Sequence, residues 1–427
     1  MFALLHWLAQ RPRRVLGIAL LLTLIAAATC VDLRTLTPRF HVDPSAEALL
    51  PEHDSDRALL AQVRRLFGED DPVIVAVHFE PNVFTVANLD AIARLTERLR
   101  KIDGVDGVFS LATAPNIATS GDDVTLTTFT EQARAEPQRI AGFSAQLAAN
   151  PLYRGTLVSN DGRVAAFALN MARVLPHEYS DGNLDGQLRA LVQSEVPAAQ
   201  VWITGTLPVR AATGVALAKT LRFTVPAVFG LVSILLFVTF RSLRATFAAL
   251  TTVALALIWT VATAVLLQIK FNLVTAIVPP LVITIGLSYT IHLLSAYFFS
   301  RQLVPLVDMK KRSEWVMNRI GVGLLVSAIT TVIGFLSLML NALPAIREFA
   351  LLAAIGTLYV ALLTFIVLPP FLNAVGCSRE APAFGQRLFI RWGAWLAAFD
   401  TRWRVPIIVI ALLSIPLNLY FASHIRT

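Results

Sequence analysis

Apolar runs poor in charge recur along the chain at Val15–Val31, 221–240, 245–267, 272–299, 320–341, 346–373 and 403–422. Each is near the roughly 20 residues that an α-helix needs to cross a hydrocarbon layer. The pattern predicts seven spans. A long polar region, 32–220, separates the first from the second. The first run comes after Arg11, Arg13 and Arg14, as a signal peptide would, but its Ala-Ala-Ala-Thr-Cys end is a poor small-x-small cleavage site. We read it as an uncleaved span.

The polar region carries shorter periods. Val73 to Phe79 is nearly all apolar, which fits a buried strand. Val86, Leu89, Ile92, Leu95 and Leu99 recur at helical spacing. Val105 to Leu111 fits a second strand. Leu157–Ser159 and Val164–Leu169 flank Asn160-Asp161-Gly162, a hairpin signal. Leu184, Leu188, Leu191 and Val192 predict another amphipathic helix, and Val201–Thr204 a last strand. The order strand, helix, strand, strand, helix, strand is ferredoxin-like. Ala112 to Asn150 does not fit that order and reads as an insertion with a helix near 137–149.

Two segments between spans mix aromatic and basic residues. One runs from Val304 to Asn318 with Val307, Trp315 and Val316. The other runs from Phe384 to Phe399 with Phe389, Trp392, Trp395 and Leu396 beside Arg387 and Arg391. Both are expected to lie as amphipathic helices on the membrane interface. Pro279-Pro280 falls in span four and Pro369-Pro370 late in span six. Proline removes a helical donor, so each pair predicts a kink, either static or a hinge.

Charge orients the picture. Lys and Arg crowd the ends of alternate loops: Arg241 and Arg244; Lys310, Lys311, Arg312 and Arg319; Arg379, Arg387, Arg391, Arg402 and Arg404. The intervening loops, Gln268–Lys270 and Asn341–Pro344, are nearly bare. The positive-inside rule places the N-terminus in the cytoplasm and the polar region outside. Composition agrees: 56% of the 427 residues are hydrophobic and 15% charged, with mean hydropathy +0.65. The net charge of +8 is spent at span ends and forms no stripe for nucleic acid. The expected fold is an α-helical integral membrane bundle with an extracytoplasmic α/β ferredoxin-like domain between spans one and two.

Candidate chemistry is sparse. Two cysteines, Cys30 and Cys377, fall on opposite membrane sides in this topology and cannot pair. The seven histidines show no metal-ligand spacing. No cofactor or metal is expected. No nucleotide loop and no nucleophile–base–orienter set is visible, so an enzyme is not expected. The acid-rich stretch Asp43–Asp71 reads as a solvated entry segment. The standout residues are Ser288, Tyr289 and His292, inside a segment, Phe271 to Ser300, that has no Asp, Glu, Lys or Arg. Helical spacing crowds them to one side, and polar groups in a span usually face a bundle interior or a water path. Histidine is the side chain that titrates near neutrality, although a neutral His bonded to a neighbouring span is the commoner arrangement. Thr330 and Thr331 in span five either face span four or bond back to their own helix.

The layout of one span, a large outer domain and five closely spaced spans resembles the first half of a resistance-nodulation-division (RND) transporter. The MMPL-like, hydrophobe/amphiphile efflux branch is the nearest resemblance, and its spans two to six are related to sterol-sensing domains. Phe240-Arg241-Ser242-Leu243-Arg244, Pro279-Pro280-Leu281, Gly286 to Leu294, Thr330-Thr331 with Gly334-Phe335 and Ser337-Leu338, Arg347-Glu348-Phe349 and Leu368-Pro369 carry it. So do Asn150-Pro151-Leu152, Leu157 to Gly162 and Gly205-Thr206-Leu207-Pro208. The resemblance implies residues 1–31 as N-terminus and span one, 32–220 as a periplasmic porter domain, and 221–378 as the sterol-sensing-like bundle. It further implies 379–402 as a cytoplasmic amphipathic helix and 403–427 as span seven opening a second half.

The chain departs from that family pattern in two ways. Members have twelve spans in two halves, so a second RND half or another copy is the expected partner, with membrane lipids. The branch also carries a proton-bearing Asp where this chain has Ser288, which cannot titrate in the physiological range. The implied function is proton-driven export of hydrophobic or amphipathic lipid-like molecules in a bacterial inner membrane. Ser288, Tyr289, His292, Thr330 and Thr331 are then coupling candidates, and Pro279, Pro280 and Gly286 hinge candidates. The alternative is a non-transporting lipid- or sterol-binding protein whose outer domain docks a partner.

Overall fold

A computed structural model describes residues 12–32, 39, 42–45, 49, 51, 59, 62–63, 66, 72–120, 123–149, 153, 155–171, 174–197, 199–303, 309–375 and 386–423. Six helices among them are long and apolar enough to cross a membrane: Arg13–Cys30, Thr206–Phe240, Leu243–Leu266, Thr275–Ser300, Trp315–Leu340 and Pro344–Asn373. The seventh run, 403–422, is the second part of one long helix, Gln386–Ser423, with a non-helical residue at Trp403 (φ −104°, ψ 15°). It is not among the six, and some of its side chains lie outside the described residues.

The polar region contains one four-stranded antiparallel sheet. Its strands are β1 (Val73–His78), β2 (Gly107–Phe109), β5 (Val164–Asn170) and β6 (Val201–Thr204), in the order β2-β5-β1-β6. β1 alternates fully buried Val73, Val75 and Val77 with half-exposed partners. One face therefore packs on helices α2 (Val86–Leu99) and α6 (Leu184–Glu195), whose Leu89, Ile92, Leu95, Leu99, Leu188 and Val192 are buried in the same core. Thr85 caps α2, its hydroxyl accepting from the Asn88 N–H at 3.2 Å. At the hairpin, Gly162 takes φ +69°, a turn geometry that side chains disfavour.

The insertion is richer than periodicity indicated. A hairpin, β3 (Pro115–Ser120) with β4 (Asp123–Thr128), precedes α3 (Phe129–Ala135), and α4 (Ile140–Ala149) comes next, within the predicted helical window. Phe129 and Phe143 meet edge-on at 5.6 Å and tie the insertion to the core. A short helix, α5 (Pro176–Asp181), precedes α6.

In the bundle, α1 (Pro12–Cys30) packs on α8 (Leu243–Leu266), while α9 (Val278–Leu303) and α10 (Met309–Ser337) pack with α11 (Pro344–Ile366). Of the six candidate spans, Pro344–Asn373, which contains α11, is the most buried. Its buried face is small-sided (Ala345, Ala350, Ala353, Ala354, Gly356, Thr357, Ala361), and so is that of α8 (Ala245, Ala248, Ala249, Ala256). Small residues let helix axes approach where no hydrophobic drive separates helix from lipid.

Several boundaries differ from the sequence reading, for physical reasons. The helix that carries span two starts well before 221: α7 (Thr206–Phe240) is one helix of 35 residues that begins directly after β6 and continues into the bundle. Lys219 and Arg222 end the apolar run but not the helix, since both are good helix formers. The boundary at 220 therefore falls within a continuous helical segment, six residues before Pro226. α7 ends at Arg241, in left-handed geometry (φ 47°), and Ser242 caps α8. Residues 309–318 belong to α10 and so continue into span five instead of forming a separate interfacial helix; 304–308 lie outside the described residues. So do Asn150-Pro151-Leu152, Arg379 and Cys377. Pro279 and Pro280 sit in the first turn of α9, preceded by a 3-10 turn at Thr275–Ile277, and do not kink its middle. First-turn donors have no helical acceptor to lose, and proline φ suits that position. Pro369 and Pro370 likewise open a short helix, α12 (Leu368–Val375), after α11 stops at Ile366.

Candidate functional site

Helix α9 carries Ser288 and His292, and the structure places both on its exposed face. Thr284 and Ser295 lie four before Ser288 and three after His292, and both are exposed as well. The four form a polar stripe along the helix, bounded by exposed Ile277 and Phe299. Neither Ser288 nor His292 makes a side-chain hydrogen bond among the described residues, while Thr284 Oγ1 donates back to the Pro280 carbonyl at 2.8 Å. Tyr289 does not join them. One residue on is 100° around a helix, and Tyr289 is buried in the core with Leu324, Ala328 and Val360. The three residues expected on one side of the helix are therefore split: Ser288 and His292 lie on the exposed stripe and Tyr289 behind it.

Thr330 and Thr331 do not reach span four. Thr330 Oγ1 donates to the carbonyls of Val326 and Ser327, both at 3.0 Å, and Thr331 Oγ1 to Ser327 at 2.8 Å. Gly286 is not a free hinge. A Cβ there would stand 2.7 Å from Val253 Cγ2, so glycine is what allows α8 and α9 to touch.

Sequence reasoning missed the polar links between spans. Trp259 Nε1 donates to Thr23 Oγ1 at 2.9 Å, joining spans three and one. Thr263 Oγ1 and Tyr359 Oη meet at 3.0 Å, joining spans three and six. Asn272 is buried before α9. Its side-chain oxygen accepts from the Val274 and Thr275 N–H groups, and its Nδ2 donates to Glu348 Oε2 at 3.0 Å, near the N-terminal end of α11. Glu348, quoted in the Arg347-Glu348-Phe349 motif, was the available signal. Beside it, the Asp43 N–H donates to the Phe271 carbonyl at 2.9 Å, and Lys270 Nζ lies 3.5 Å from Asp43 Oδ2. Burial alone would raise the Asp43 carboxyl; hydrogen bonds from Ser45 and the Lys270 charge outweigh it and hold the group below its ordinary value. This joint straps the segment after span one onto the loop between spans three and four.

Six spans, a small-sided bundle, an α/β domain fused to span two through one helix, and a polar stripe on an exposed helix face define a multi-pass membrane protein. The chain belongs to the MMPL family, which it matches over residues 51–407. A protein of Methanocaldococcus jannaschii named only as a membrane protein, MJ1562, is 25% identical over 384 residues, covering 85% of this chain and 91% of the relative. Among solved structures, the hedgehog release protein Disp from the water bear Hypsibius dujardini aligns with a TM-score of 0.58 at 15% identity, over 88% of this chain. That identity speaks for the fold alone. The chain spans 50% of the length of Disp.

Proposed function

We propose that this chain is one half of an RND-type exporter that moves hydrophobic or amphipathic lipid-like molecules outward, driven by the proton gradient. The carrying observation is the stripe Thr284-Ser288-His292-Ser295 on the exposed face of α9. A polar stripe with an ionisable group is costly against lipid tails and is retained where protein or a water path covers it. A second half, as another copy or a separate chain, supplies that cover. His292 is then the titratable group this half brings to the shared seam, and Ser288 hydrogen-bonds a carboxylate from the other side.

In this reading the α/β domain is a ferredoxin-like porter domain in the periplasm of a bacterial cell, the N-terminus is cytoplasmic, and the helix Gln386–Ser423 runs along the inner interface and then crosses as span seven. The continuity of α7 supports a mechanical role. A single helix of 35 residues, with Pro226 inside it, joins the domain to the bundle, so movement of one is carried to the other through that element. Substrate binding and proton binding are coupled as long as each favours one domain orientation.

The test is transport by the purified chain in liposomes with a fluorescent amphiphile and an imposed pH gradient. Movement that stops when a protonophore collapses the gradient is the expected result. Movement that continues removes proton coupling. His292→Ala is expected to abolish coupled movement at unchanged abundance, and full activity in that variant would reduce His292 to packing. Ser288→Asp is expected to shift the pH optimum, since it restores a carboxyl on the stripe.

A further inference from the structure

The α/β domain holds a cavity of about 330 Å³ between the insertion helix α4 and the β5 hairpin. Its walls are Phe84, Leu147, Tyr153 and Val158, and its rim carries Ser144 and Asn160. Leu147, Tyr153 and Val158 are buried core residues, so the floor is part of the folded domain. The Tyr153 hydroxyl is already engaged, donating to the Pro115 carbonyl at 2.9 Å, which leaves its ring as an apolar wall. Ser159, also in the lining, is engaged too: it donates to Asp161 and accepts from the Val164 N–H at 2.9 Å. Ser144 and Asn160 are exposed and make no side-chain hydrogen bond among the described residues. No Asp, Glu, Lys or Arg among the described residues lines the cavity.

Topology places this cavity. α7 begins just after Thr204, and Thr204 pairs with Ile74 near the start of β1. The hairpin turn instead adjoins Val164, which pairs with His78 at the far end of β1. The cavity thus lies at the end of the sheet remote from span two.

We propose that it is a binding site for an uncharged amphiphile: an apolar chain or ring against Phe84, Leu147 and Val158, and a hydroxyl- or ester-bearing head at Ser144 and Asn160. Its volume is at the low end of small-molecule sites, about 300–1,000 Å³, so it takes one short chain and not a two-chain lipid. None of the described lining residues offers an ion a charged partner in place of its lost hydration. The proposal rests on the export reading for its role, as a late station where cargo leaves the domain, but not for its existence.

The experiment uses the full chain in nanodiscs with a diazirine-bearing 1-decanoylglycerol, a matching decanoate probe, and mapping of crosslinks by mass spectrometry. Expected labelling falls on Leu147 and Val158, at least fivefold stronger for the glycerol ester than for the carboxylate. Ser144→Trp, on the exposed rim, is expected to cut that labelling at least fivefold with unchanged melting temperature. Labelling at these residues that is absent, equal for both probes, or unmoved by Ser144→Trp overturns the proposal. Transport is measured separately in the same preparations. Loss of export with site labelling intact counts against the exporter reading and not against the site.

Discussion

Trp259 Nε1 and Thr23 Oγ1 lie 2.9 Å apart, so one hydrogen bond links span three to span one. Thr23 in turn donates to the Ala19 carbonyl at 2.7 Å, and the Trp259 ring meets Tyr359 edge-on at 5.5 Å. Spans one, three and six thus share a polar and aromatic contact inside the bundle. Thr23→Val removes the acceptor and keeps the shape. Hydrogen bonds between membrane helices contribute about 0.6 kcal/mol on average and up to about 1.7. The expected outcome is a lower melting temperature in Thr23→Val and Trp259→Phe, with a double-mutant coupling in that range. A coupling of zero would mean that the contact does not hold the spans together.

Gly286 and Val253 give the second prediction. A Cβ at 286 would stand 2.7 Å from Val253 Cγ2 and 3.2 Å from Cγ1. Overpacking a tight contact costs about 1–3 kcal/mol, so Gly286→Ala should destabilise the bundle. Val253→Ala should rescue it. A hinge glycine would behave otherwise, because trimming its neighbour would not restore backbone freedom. Thermal unfolding of the single and double variants separates the two.

Much of the outer domain was legible because water makes its helices two-faced. Leu89, Ile92, Leu95 and Leu99 announce α2, and Asn160-Asp161-Gly162 announces the turn. The β3–β4 hairpin was not, since Thr125, Thr127 and Thr128 carry too little apolar contrast. Within the membrane the contrast fails for a different reason. Helix faces toward lipid and toward protein are both apolar, so the period placed Ser288 and His292 near each other but not outward, and it grouped Tyr289 with them. Pro279-Pro280 read as mid-span because Leu273 to Ile277 is as apolar as α9 itself; only the 3-10 turn marks the boundary. Side chains that bridge distant spans, Thr23 to Trp259 or Asn272 to Glu348, leave no local pattern at all.

Acid should loosen the domain at Glu195. Arg98 Nη1 reaches its Oε1 at 2.6 Å and Arg94 Nε its Oε2 at 3.1 Å, clamping α2 to α6. The Arg98 hydrogen bond, then that of Arg94, holds the carboxyl below its ordinary 4.5. A depressed folded value contributes stability that is present above pH 4.5 and lost as pH falls through the folded value. The arginines are about half exposed, so the clamp contributes at most about 1 kcal/mol. Glu195→Gln should lower the melting temperature slightly at neutral pH and show a shallower acid limb. An acid limb identical to that of the parent would show that the clamp contributes nothing.

Alkali should act on Tyr179. This residue of α5 is 3% exposed, and its hydroxyl has no hydrogen-bond partner among the described residues. Burial, then the nearby Asp185 charge, pushes the phenol up to about 12 against an offsetting Arg189. The neutral phenol is the form the fold accepts. The folded value is the raised one, so its contribution to stability is intact below pH 10 and lost as pH rises through about 12. Tyr179→Phe keeps the ring and deletes a buried polar group that makes no bond. Leaving such a group unpaired costs about 1–3 kcal/mol, so the variant should be at least as stable as the parent at pH 7. Its melting temperature should also fall less between pH 10 and 12. Both are read by thermal unfolding across pH, with phenolate absorbance reporting the titration. A clearly less stable Tyr179→Phe at pH 7 would mean that the hydroxyl is bonded in the working protein, and its partner would then be sought where α5 meets α7.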